Sequence, residues 1–183
     1  IDADPDFARG HGARSYVNLQ RAFIDEPKDR AARLETALRQ GRHAVSLDEL
    51  DCFCHCALGR ALCLTHQNDE ALAALDGSLE LKPSVAQADY AQGFNVLWYG
   101  REIEAESLLD RATMLSPRDS HISSFHHVRS WAHFSLGEYD IAVEFARRAT
   151  RQPTVTYQAF ATLAASLGHL GDRAQAEIAA TEL

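Results

Sequence analysis

Six residues between positions 52 and 66 have the types and spacing that could do chemistry: Cys52, Cys54, His55, Cys56, Cys63 and His66. Thiolates and imidazoles are zinc ligands, so the Cys-Phe-Cys-His-Cys run raises the question of a metal site. Helical geometry argues against one. At about 100° per residue, Cys52, Cys56 and Cys63 share a face while Cys54 points nearly opposite. Cys56 and Cys63 are then separated by about 10 Å along the axis, too far for one ion. The thiols are expected instead to act as small apolar fillers on a crowded helix, and no metal or cofactor is expected. A second cluster, His121, His126, His127 and His133, lies on one helical stretch. His126 and His133 share an inward stripe and His127 alone faces a groove; the four read as ordinary hydrogen-bonded or surface histidines, with a pH-responsive contact at His127 as the alternative. No nucleophile turn, Gly-rich phosphate loop or paired metal-binding helix motif accompanies them. No catalysis is therefore expected of this chain; any activity would belong to sequence outside it.

The elements that must carry these residues are helices. The chain holds 30 Ala and 21 Leu against only 5 Pro and 10 Gly, and Ala and Leu lose little side-chain freedom in a helix. A hydrophobic share of 46% with 24% charged residues is a globular mixture, which excludes disorder and fibrous structure. The net charge of −8 lacks the positive field that nucleic acid or an anionic membrane requires. The one basic cluster, Arg147, Arg148 and Arg151, reads as a solvated helix face. No apolar run reaches bilayer length and no basic-then-apolar leader opens the chain. Cysteines confined to one segment do not resemble a secreted disulfide framework, so a cytoplasmic location is expected.

Punctuation residues recur. Gly59 and Gly93 are 34 apart, as are Ala71 and Ala105, Leu75 and Leu109, Ser78 and Ala112, and Pro83 and Pro117. Gly137 and Gly171, and Ala142 and Ala176, repeat the same interval. Apolar residues at helical spacing predict paired helices over 52–65 and 70–81, 86–99 and 101–115, 120–136 and 138–150, and 155–170 and 172–183. Asn68-Asp69, Gly100, Gly137 and Gly171 are the expected turns within pairs, and prolines end the second helices. A less regular pair, 6–23 and 28–47, precedes them around a loop at Asp25-Glu26-Pro27; its Arg14-Ser15-Tyr16 echoes Arg129-Ser130-Trp131. Gly59, Gly93, Ser130 and Ala164 on first helices, and Ala71, Ala105, Ala142 and Ala176 on second helices, are expected to be buried where two backbones approach.

These columns resemble the tetratricopeptide repeat family, whose unit is a 34-residue helix–turn–helix. The resemblance covers Cys52–Asp119 best, then Ser123–Leu183, then Ala8–Asp51. The chain departs from the family's pattern where His55 and Asp89 replace a large residue, Asn68 and Glu102 an aromatic, and Glu49 a proline. It implies an all-α, right-handed superhelix of about five stacked antiparallel helix pairs. The units would run about 8–51, 52–85, 86–119, 123–156 and 157–183, within one domain. Met114–Asp119, Ala132–Tyr139 and Ala146–Ala149 further resemble repeat regions of bacterial class III adenylate cyclases and winged-helix transcription regulators. Ile1–Phe7 reads as the tail of a preceding repeat, so a piece of a longer chain is expected.

In this family first helices line a concave face. Register on Gly59 and Gly93 assigns to it Tyr16, Phe53, Cys56, Arg60, Tyr90, Phe94, Leu97, Trp98, His127, Trp131 and Phe134. Aromatics and Arg anchor interfaces because they bury much area while ordering few torsions. A non-catalytic module holding an apolar or amphipathic protein or peptide segment is thus expected. The alternative is a regulatory domain of a longer cyclase or transcription regulator. The family's clamp for a terminal carboxylate is approached only by Arg60, which disfavours that ligand. The apolar Ala174, Ala176, Ala179, Ala180 face raises an expectation of homodimerisation through the array end.

Overall fold

The computed structural model describes residues 4–24 and 27–183, with the side chains of 23, 24 and 27 outside that description. The expected lead-in at 1–3 and the tip of the loop at 25–26 therefore fall outside the described residues. Among the described residues ten α-helices follow one another: α1 (Ala8–Ile24), α2 (Arg30–Leu47), α3 (Cys52–Leu64), α4 (Asn68–Leu81), α5 (Ala86–Leu97), α6 (Glu102–Leu115), α7 (Ile122–Ser135), α8 (Tyr139–Thr150), α9 (Tyr157–His169) and α10 (Arg173–Ala180). A short 3-10 turn, Pro27–Asp29, leads into α2, and no strand occurs among the described residues. The chain forms two compact units, Ile1–Asn95 and Val96–Leu183.

The helix ends follow one backbone rule. The residues that close α3, α5, α7 and α9 are His66 (φ 59°), Gly100 (66°), Gly137 (77°) and Gly171 (81°), all left-handed. At each, that residue's N–H bonds a carbonyl three back, as in Gly137 to Phe134 (3.0 Å). The next N–H bonds five back, as in Glu138 to His133 (2.9 Å) and Gln67 to Leu62 (3.0 Å). This double closure satisfies carbonyls that the helix leaves orphaned, and glycine adopts it without steric cost. The first of these turns differs from the expected break at Asn68-Asp69. His66 makes it, and α4 already begins at Asn68.

The small columns are where backbones meet. A Cβ built on Gly59 would lie 2.5 Å from Leu75 Cγ and 3.3 Å from the Ala71 carbonyl, so α3 and α4 touch there through hydrogen alone. At Ser130, wholly buried, the hydroxyl donates to the Ala142 carbonyl across the α7–α8 contact at 2.7 Å. Gly41 on α2 is squeezed from two sides: its Cβ would sit 3.3 Å from Ser15 Oγ within the first pair and 3.0 Å from Leu58 Cα of α3. The last pair is looser: Ala164 and Ala176 stay partly exposed.

Around these contacts each unit has its own core. In the first, Cys56, Leu62, Cys63, Ala71, Leu75, Ala88 and Ala91 pack together, and Cys54 turns the other way onto Ala8 and Ala44. Burial pushes the Cys56 thiol up to about 11 and Cys63 to about 12, so both are neutral fillers. Asp51 caps α3 by accepting from the Phe53 N–H at 2.8 Å and pairs with Arg9. In the second unit Val143, Ala146, Leu163, Leu167 and Ala179 form the terminal core, with Ala176 against it. Two of the four alanines of the apolar C-terminal face thus pack on their own neighbours.

Candidate functional site

In the first unit the first helices present a face centred on Arg60 of α3. Its guanidinium carbon lies 4.7 Å from the ring centroid of Tyr16, on α1, and 5.6 Å from that of Tyr90, on α5. Arg60 Nη1 donates to Gln87 Oε1 at 2.6 Å. Phe53 extends the surface beside Tyr16, the ring centroids 6.4 Å apart, and rests on α1 where Gly12 leaves room. Tyr16, Phe53, Arg60, Tyr90 and Phe94 are all half-buried, although Phe94 also packs on the core. Cys56 does not reach this surface. At 3% exposure it lies among Leu75 and Ala88, because its side chain ends below the rims of its larger neighbours.

The second unit carries a face of its own. Trp98 follows α5 directly and meets Trp131 of α7 edge to face, centroids 5.3 Å apart, with Trp98 48% exposed. Further along, Phe134 packs edge-on against both Tyr139 and His169, which stack on each other at 4.2 Å. Leu97, by contrast, is buried at 9% and is closed to a partner. His127 lies near the Thr162 hydroxyl, 3.4 Å from Nε2, and desolvation pushes it down to about 4. It is neutral at physiological pH and offers no contact that switches near neutrality.

Sequence reasoning missed two features. Tyr139, the first residue of α8, joins the Phe134–His169 cluster from a second helix, where no lining residue was expected. Arg129, only 8% exposed, chelates Glu106 of α6, contacts Asp110 at 3.1 Å and stacks 4.2 Å over Phe145. Among the described residues no group of three or more His, Cys, Asp or Glu side chains is arranged to hold a metal ion.

No family model and no curated protein matches the sequence. Solved structures do match the fold. A thermophilic TPR protein from Thermus thermophilus aligns over 90% of this chain and 89% of its own, with a TM-score of 0.71 and 19% identity. The fold is that of tetratricopeptide repeat proteins. PilF of Pseudomonas aeruginosa aligns over 93% of this chain and 75% of its own at a TM-score of 0.70 and 15% identity. MamA of Desulfovibrio magneticus aligns over 94% and 92% at 0.66 and 18% identity. A tetratricopeptide fold accounts for the left-handed turns and small columns at once: both let the two helices of a pair fold back and pack closely on each other. Among the described residues no helix is long and apolar enough to cross a membrane.

Proposed function

We propose that this chain is a non-catalytic tetratricopeptide module whose aromatic faces, lined by first helices, bind an apolar or amphipathic segment of a protein partner. The observation that carries this reading is the Trp98–Trp131 pair. It comprises both tryptophans of the chain, and Trp98 keeps nearly half its surface open to water. A large aromatic held edge to face against a second is rigid before binding, so little torsional entropy is lost when a partner covers it. In the other unit, Tyr16, Phe53 and Tyr90 around Arg60 supply the same residue types. Four free thiols, three of them buried, suit a reducing, cytoplasmic setting. The regulatory-domain alternative rests on sequence resemblance alone.

The test is quantitative capture by the wild-type protein and by a Trp98→Ala/Trp131→Ala variant whose helicity and melting are first checked. Loss of two interface anchors should weaken binding about 30-fold or more. Capture unchanged by the double substitution rejects these tryptophans as the binding face.

A further inference from the structure

Two arginines sit on first helices with aromatic rings against them, and only one has its charge answered. Arg129 is held by Glu106 and Asp110. Arg60 makes no ion pair among the described residues; its guanidinium is engaged by Gln87 and by the Tyr16 side chain. Its neighbours are neutral: Gln87 at one nitrogen, and the Tyr16 and Tyr90 rings against the guanidinium. A half-buried arginine whose contacts are all neutral can still meet an anion on its open side, which offsets the desolvation it bears.

We propose that Arg60, with Gln87 and the flanking tyrosines, forms a receptor for one acidic side chain, Asp or Glu, borne inside the bound partner segment. A guanidinium offers five N–H donors in a planar fork; Gln87 and the Tyr16 side chain engage two, and a carboxylate can approach those that remain. Phe53, with its ring centroid 6.4 Å from that of Tyr16, carries the aromatic surface past the arginine, which suits a segment that continues beyond the acid rather than ending on it. This inference rests on the segment-binding function proposed above and adds the charge that the segment must carry.

The experiment is selection of an internally displayed random peptide library on the full chain, on Arg60→Gln and on Arg60→Lys. Wild type should enrich peptides with an Asp or Glu at a fixed distance from an aromatic or aliphatic residue. Arg60→Gln should lose the acidic position and keep the apolar one. Changing the selected acid to its amide should weaken binding to wild type about 10- to 100-fold and leave Arg60→Gln unaffected. Arg60→Lys, which keeps the charge and lacks the fork, should fall between them and serves as the folded control if the Gln variant melts early. Enriched peptides with no acidic position overturn the receptor while leaving the binding module intact. Absence of any enrichment overturns both.

Discussion

Replacing Gly59 by Ala adds one methyl group where the structure has no room for it. The new Cβ would stand 2.5 Å from Leu75 Cγ and 2.7 Å from Cδ2, whereas carbon atoms rest at about 3.5–4.0 Å. Leu75 must therefore retreat by about 1 Å, yet it is fully buried among Cys56, Leu62, Ala71 and Ala88. The Ala71 carbonyl at 3.3 Å blocks the remaining direction with backbone. Overpacking of this kind costs about 1–3 kcal/mol, against a gain of about 1 kcal/mol for Ala over Gly inside a helix. Clash with a branched carbon rather than a chain end puts the cost toward its upper range, leaving a net loss of about 1–2 kcal/mol. Gly168, near the end of α9, has nothing within 4 Å of its Cβ position. The identical substitution there should stabilise by about 0.5–1 kcal/mol. Urea unfolding of both variants reads the difference. Leu75→Ala is expected to cost about 2–5 kcal/mol alone and measurably less when Gly59→Ala fills part of its space. A Gly59→Ala protein as stable as wild type, or strict additivity with Leu75→Ala, would refute the close α3–α4 contact.

His66→Gly should stabilise by about 0.5–1 kcal/mol, since His66 holds a left-handed conformation (φ 59°) that glycine adopts freely; thermal melts check it, and no gain contradicts it. His127, lowered from 6.5 to about 4 by burial, is neutral when folded while the unfolded chain takes up its proton through that interval. Stability should accordingly be intact above pH 6.5 and fall toward pH 4, by up to about 3 kcal/mol from this residue. Urea midpoints across that window should flatten in His127→Gln. Glu106→Ala leaves the buried Arg129 with Asp110 alone and should destabilise by about 2 kcal/mol, whereas Asp110→Ala, removing a half-exposed carboxylate, should cost under about 1 kcal/mol.

The helix pairs were legible because stacking imposes local rules on particular residues. A left-handed closure selects glycine at 100, 137 and 171, and a backbone contact selects Gly59 with Ala71. The exception, His66, was illegible for the same reason: nothing in its side chain announces a positive φ, so the break was read two residues late at Asn68-Asp69. The aromatic faces were legible as residue types in register. Which of their members reach the surface was not. Cys56 and Leu97 occupy lining register, yet size and neighbouring side chains bury them. The Arg129–Glu106 pair escaped notice because residues 23 apart face each other only once α6 and α7 have packed. Arg60 differs: the sequence marked it, and its distinguishing property, a charge without an acid, exists only in three dimensions.

Tryptophan emission tests the binding account most directly, because Trp98 and Trp131 are the chain's entire complement and lie together. A partner segment seated on that face should shift emission to the blue and protect Trp98 from acrylamide quenching, with both effects saturating along the binding curve. A partner that binds with emission and quenching unchanged would place recognition elsewhere on the molecule and contradict the account.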